Sequence, residues 1–240
     1  MKLKTANLLC SMKELETLPE GKLLINTINA FSYNNAQKDA LFSEALENGD
    51  VLVPDGAGIV KACQWINAKC QPKERIAGWD LFIFEMERLS QRGRGRVMFL
   101  GSSETVLSLI RERAARDYPC LEVVTYSPPY KPVFTDKENR DMVRAINEAS
   151  PDLLWIGMTA PKQEKWTYTH WSQLDIHCHV GAIGAVFDFY AGTTRRAPLW
   201  WQRHSLEWLY RLLKEPRRMW RRYIIGNVEF IYRVMKERKG

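Results

Sequence analysis

An α/β fold built on a parallel sheet is predicted by three features of this sequence. Short apolar runs alternate with segments of helical periodicity, and most of the runs end in a glycine, asparagine or aspartate turn. One run, Leu153 to Ile156, is apolar without interruption, as expected of a strand covered on both faces. Such alternation favours right-handed crossovers with helices flanking the sheet, a Rossmann-like arrangement.

Residues 1 to 21 give mixed signals and hold at most a short strand or loop. The first firm strand is Lys22 to Thr27, leading into Ile28, Asn29 and Ala30. Helical spacing begins near Asn35 and continues through Leu41, Ala45 and Leu46 to Gly49, where glycine stops it. Val51 to Val53 forms a second strand, closed by Pro54-Asp55-Gly56, and Ile59 to Ala68 reads as a helix. A helix over Trp79 to Gln91 precedes a strand from Arg96 to Leu100, which enters Gly101-Ser102-Ser103. Those hydroxyls are good caps for a helix from Glu104 to Arg116. Leu121 to Tyr126 is a strand, separated from the helix Asp136 to Ala149 by a loop bearing Pro128, Pro129 and Pro132. After Leu153 to Ile156, Gly157 turns the backbone, Pro161 suits a first helical turn, and Gln163 and Glu164 follow. Ile176 to Val180 is the last strand, ending in Gly181-Ala182-Ile183-Gly184.

With 240 residues, 45% of them hydrophobic and 26% charged, the chain can build one sizeable core plus an appendage. The charge divides the chain: residues 195–240 hold 13 Lys and Arg against 4 Asp and Glu, a net +9. Residues 1–194 carry 22 against 24, a net −2. The basic segment also contains Trp200, Trp201, Trp208 and Trp220, and Trp220, Ile224, Val228, Ile231 and Met235 recur at the spacing of one helical stripe. The expected organisation is therefore a Rossmann-like domain over 1–194 and a basic, helical, membrane-associating appendage over 195–240. Five scattered cysteines without a CxxC pair fit reduced thiols rather than a disulfide framework. The N-terminus lacks the apolar core of a signal peptide, and no run of about 18 apolar residues appears.

Strand ends are where chemistry is expected in an open α/β sheet. Thr27 and Asn29 flank one strand end and Asp55 closes the next, so neighbouring parallel strands would place all three at one edge. A carboxylate there can act as general base toward a sugar or alcohol hydroxyl, although Pro-Asp-Gly is also a common turn. No two aspartates stand two apart, so the Asp-x-Asp pair that holds a divalent ion in many nucleotide-sugar enzymes is missing. A departing nucleotide diphosphate would need protein cations instead, and Arg211, Arg218 and Arg221 have the spacing of one helical face. Gly181 to Gly184 and Gly101 to Ser103 are candidate nucleotide-contacting turns, though neither is GxGxxG. The absence of that fingerprint argues against a nicotinamide-dependent oxidoreductase, and a nucleic-acid-binding module using the basic tail is the other competing class. His177 and His179 read as buried, hydrogen-bonded strand residues rather than as metal ligands.

Taken together, these residues resemble the WecG/TagA/CpsF family of bacterial glycosyltransferases, glycosyltransferase family 26, from about Lys22 to Arg222. The likeness is carried by Thr27-Ile28-Asn29, Pro54-Asp55-Gly56, Arg75-Ile76-Ala77-Gly78 with Asp80-Leu81, and Gly157 with Pro161-Lys162-Gln163-Glu164. It extends through the run Gly181 to Pro198, which includes Gly184 and Asp188, and through Leu206 to Arg218. The resemblance implies inverting, metal-independent transfer of a sugar from a UDP donor to a polyprenyl-diphosphate-linked saccharide in cell-surface polymer synthesis, with no cofactor and no nucleic acid partner. It implies Asp55 as the base, Thr27, Asn29, Arg75, Gln163, Gly181, Gly184 and Asp188 as substrate-binding residues, and Arg211, Arg218 and Arg221 on the diphosphate. It also implies a cytoplasmic protein held peripherally at the inner face of the plasma membrane, with self-association left open. One position departs from the family pattern: Phe31 follows Asn29 and Ala30 where the family usually has a glutamate.

Overall fold

The computed structural model describes residues 1–239. After a short helix α1 (Lys13–Glu16), the chain forms β1 (Leu23–Ile28), α2 (Ala30–Ala36), α3 (Ala40–Glu47), β2 (Val51–Pro54) and α4 (Ala57–Trp65). It continues through α5 (Gly78–Ser90), β3 (Gly95–Gly101), α6 (Glu104–Asp117), β4 (Leu121–Tyr126), α7 (Asp136–Ala149) and β5 (Leu153–Gly157). Then come α8 (Lys162–His170), β6 (His179–Ala182), α9 (Ala185–Ala191), α10 (Leu199–Arg203), α11 (Glu207–Lys214), α12 (Pro216–Trp220) and α13 (Gly226–Lys239). The six strands make one sheet in the order β2-β1-β6-β5-β3-β4, and every pairing is parallel.

The central strands alternate two buried faces, which is why their sequences are apolar throughout. Val97, Phe99, Leu153 and Trp155 meet Phe82, Leu107, Ile110 and Phe187 of α5, α6 and α9. Met98, Leu100, Leu154 and Ile156 meet Met142, Ile146 and Trp166 of α7 and α8. A third cluster joins Ile28, Tyr33, Phe42, Leu46 and Ile59 to Phe230 and Val234 of α13. The last helix of the basic segment thus belongs to the same core as the first strands. Tyr33 meets Phe230 edge-on at 5.4 Å and donates its hydroxyl to Glu237 Oε2 at 2.7 Å.

Three expectations change. The single helix from Asn35 to Gly49 is two helices, because Asn29 caps α2 early and Asp39 starts α3 anew, its Oδ1 accepting from Phe42 N at 3.0 Å. The last strand begins at His179 and runs through Gly181, where a side chain is impossible: a Cβ there would lie 2.2 Å from the Trp155 ring. His179 is buried as expected, with its ring nitrogens 3.0 Å from Glu85 Oε1 and 2.9 Å from Pro19 O, whereas His177 precedes the strand and is exposed. In the basic segment the Trp220, Ile224, Val228, Ile231 and Met235 stripe, whose facing the spacing leaves open, faces outward, while Met219, Phe230 and Val234 face in.

Beyond the ends of β5 and β6, buried Gln163 ties two turns together. Its Oε1 accepts from Met158 N at 3.2 Å and Gly184 N at 3.1 Å, and its Nε2 donates to Glu164 Oε1 at 2.9 Å. Glu164 Oε2 has no partner, and burial pushes this carboxyl up to about 7. The folded chain therefore holds the Glu164 proton more tightly than the unfolded chain, and stability falls as pH rises through about 7.

Two stability measurements check this packing. Phe230→Ala should cost about 3–5 kcal/mol in denaturant unfolding, since it opens a cavity on Tyr33; a loss below about 1 kcal/mol would mean that α13 is only loosely docked. Glu164→Gln should raise the melting temperature by about 3 °C or more near about pH 8, with the gap closing toward about pH 4. An equal effect at both pH values would contradict the burial account.

Candidate active site

The C-terminal ends of β1 and β2 are neighbours in register, with Ile28 opposite Pro54, so Asn29 and Asp55 leave the sheet side by side. Asp55 N donates to Ile28 O at 2.8 Å, extending the ladder by one residue before the chain turns. Gly56 makes that turn at φ +120°, a conformation that disfavours any side chain. Asn29 is half-committed to structure: its Oδ1 accepts from Ser32 N at 3.0 Å and caps α2. Thr27 lies half-buried in β1 opposite Val53.

The segment before α5 closes one side. Ile76 N donates to Pro54 O at 3.0 Å, and Asp80 Oδ2 accepts from Ala77 N at 2.9 Å, which fixes the start of α5. Arg75 reaches across to the basic segment, where Glu207 Oε2 lies 3.4 Å from Arg75 Nη1 and 3.6 Å from Arg196 Nη2. One carboxylate between two guanidinium groups pins α11 over the sheet edge. Further along, Asn34 Nδ2 donates to Gly226 O at 2.7 Å and Lys38 pairs with Glu229 at 2.7 Å, fastening α13 to α2.

Asp55 sits beneath this cover. Burial pushes its carboxyl up to about 6; Arg75 and Arg222 pull it down, and Glu207 and Asp80 push it up. A carboxyl in that range changes protonation near neutral pH, as a general base requires.

The arginines do not arrange themselves as helical spacing suggests, because the chain from 211 to 225 is not one helix. It breaks at Glu215 and Pro216 and then makes a π turn over Arg221–Ile225. That turn faces Arg221 outward, exposed and 5.6 Å from the Trp220 ring, and brings Arg222 inward. Arg221, like Arg218, is therefore at the surface of the folded chain. Arg222 stacks on Phe31 at 4.5 Å, and burial lowers its pKa while the charges of Asp55, Arg211 and Arg218 act on it. Arg211 lies 5.7 Å from the Phe189 ring; Arg218 is largely exposed and pairs with Glu215 at 2.8 Å. Sequence spacing missed Arg222 and Glu207; Pro216, which follows the break at Glu215, was the available signal.

The remaining expected site residues have structural occupations. Gln163 spends its amide on Met158, Gly184 and Glu164, so it braces the turns rather than lining an open surface. Gly181 accommodates Trp155, and at Gly184 a Cβ would lie 2.4 Å from Met158 O, so close packing accounts for both glycines. Asp188 is half-buried in α9, with Thr193 Oγ1 3.4 Å from its Oδ1. A cleft of about 710 Å³ opens at the opposite sheet edge among Arg92, Arg96, Glu122 and Asp152. Its charges are largely matched within the protein: Arg92 pairs with Glu20, Arg96 with Glu122, and Arg96 N donates to Asp152.

The chain matches the Glycosyl transferase WecG/TagA/CpsF family over residues 2–240. It is 31% identical over 205 residues to a Bacillus spizizenii protein, N-acetylglucosaminyldiphosphoundecaprenol N-acetyl-beta-D-mannosaminyltransferase, covering 85% of this chain and 76% of that one. Proteins of the same name from Bacillus subtilis and Staphylococcus aureus are 29% and 28% identical, covering 90% and 91% of this chain and 80% and 82% of theirs. With a family match that spans the parallel sheet, the Asp55 edge and the segment folded over it, the chain belongs to the WecG/TagA/CpsF family of glycosyltransferases.

Proposed function

We propose that this protein transfers N-acetylmannosamine, or a closely similar hexose-type sugar, from UDP to a saccharide carried on a polyprenyl diphosphate, for a cell-surface polymer. The observation that carries this reading is Asp55, a half-buried carboxyl at the sheet edge, desolvated and with arginine charge around it. The names of the Bacillus and Staphylococcus relatives support the sugar and the lipid-linked acceptor.

Asp55 takes the proton of an acceptor hydroxyl as that oxygen attacks the anomeric carbon. A carbon–oxygen bond forms on one face while the bond to the donor diphosphate breaks on the other, so the configuration inverts. The electron pair leaves on the diphosphate. Arg211 and Arg218 stabilise that charge, which is greatest as the bond breaks, and in a chain without an Asp-x-Asp pair this replaces a divalent ion.

The lipid-linked acceptor places the reaction at a membrane surface. No helix among the described residues is long and apolar enough to cross a membrane. Trp220, Ile224, Val228, Ile231, Tyr232 and Met235 form an exposed apolar face beside exposed Arg217 and Arg221, a combination suited to lying in the headgroup region of an anionic leaflet. On this reading the protein is peripheral, at the cytoplasmic face.

A single assay tests the proposal. Purified protein, UDP-N-acetylmannosamine and an N-acetylglucosaminyl-diphospholipid acceptor in vesicles should give product in excess chelator, faster on anionic than on zwitterionic vesicles. Transfer only with added magnesium or manganese would contradict the arginine account. Absence of transfer from a panel of UDP-sugars would contradict the function.

A further inference from the structure

Near Asp55, Arg222 is a cation with an unused buried donor. Its Nε is buried and has no hydrogen-bond partner. Its guanidinium lies on the face of Phe31 at 4.5 Å and near the Tyr223 ring at 5.7 Å, and Arg211 and Arg218 add like charge. The backbone that carries it departs from α-helical geometry over Arg221–Ile225, an irregularity that recurs at functional sites. An unused buried donor and the like charge of Arg211 and Arg218 oppose keeping a guanidinium there, Asp55 offsets only part of that, and one bound anion would supply both a hydrogen-bond acceptor and the missing negative charge.

Phe31 determines where that anion would lie. It sits in the first turn of α2, two residues past Asn29, which leaves the sheet beside Asp55. The ring lies against the guanidinium, so its planar donors remain free to act edgewise, the geometry that suits phosphate oxygens.

We propose that Arg222, held on Phe31, is a further anion-contacting residue of this site and meets the diphosphate of the nucleotide donor; the identity of that donor rests on the function proposed above.

Calorimetry of the full chain with UDP and, separately, with inorganic pyrophosphate tests this. Arg222→Ala should weaken UDP binding about tenfold or more, and Arg222→Lys should recover only part, because an ammonium cannot present a planar fork from the face of Phe31. Phe31→Leu should weaken UDP by about threefold, on the order of a cation–π contact. Arg217→Ala, a change at an exposed position, should stay within about twofold. Wild-type affinity in Arg222→Ala would overturn the inference, as would an equal loss in Arg217→Ala. If Arg222→Ala does not fold, Arg222→Lys decides, and an unchanged affinity there overturns it. If the wild type binds pyrophosphate but no uridine nucleotide, the donor reading fails, and the anion site stands or falls on whether Arg222→Ala loses pyrophosphate. Binding of neither ligand by the wild type overturns the inference.

Discussion

The last helix returns to the beginning of the chain, and the candidate site depends on that contact. Phe230 and Val234 of α13 enter the cluster formed by Ile28, Tyr33, Phe42 and Ile59, while Tyr33 and Lys38 bind Glu237 and Glu229. These contacts fix α13 on α2, whose first residues adjoin the end of β1. Glu207, between Arg75 and Arg196, fixes α11 in turn. A basic segment tethered at two points spans the sheet edge, and these tethers hold its Arg222 within electrostatic range of Asp55.

This cover has two opposing electrostatic effects on Asp55. It excludes water, which raises the carboxyl, and it supplies Arg222, which together with Arg75 lowers it. Burial is the larger effect, leaving a group poised near neutral pH rather than a permanently ionised one. Glu164 shows the same desolvation without a nearby cation to offset it and rises further, to about 7. The difference lies in the company of the two carboxyls: charges from Arg75, Asp80, Glu207 and Arg222 act on Asp55, whereas Glu164 has neutral donors, its own backbone N–H and the amide of Gln163.

Much of the sheet was legible in the sequence because its strands carry local signals. The runs at Leu121–Tyr126 and Leu153–Ile156 fall where expected, and the turn residues Asn29, Asp55 and Ser103 do end strands or cap helices. The adjacency of Asn29 and Asp55 needed one further fact, that β1 and β2 are neighbours, which local patterning does not determine. What failed was anything requiring long-range packing or broken periodicity. Gly181 looks like a strand terminator until Trp155 is placed beneath it, and Arg211, Arg218 and Arg221 look like one helical face until the breaks at Glu215 and Arg221 are seen. The Trp220 to Met235 stripe has the correct period, but period alone does not say which side faces the core.

In the proposed function Asp55, its carboxyl raised to about 6 chiefly by burial, accepts the proton in the transfer step. The most direct test is the pH dependence of kcat/KM for wild type and Asp55→Asn with one UDP-sugar and one lipid-linked acceptor. Because the base must be ionised, wild-type kcat/KM should rise with pH and level off above about 6, while Asp55→Asn should be about 10²-fold to 10⁴-fold slower and lack that limb. An Asp55→Asn variant that stays folded and keeps the wild-type ascending limb would contradict the account, and the proton would then have to go elsewhere.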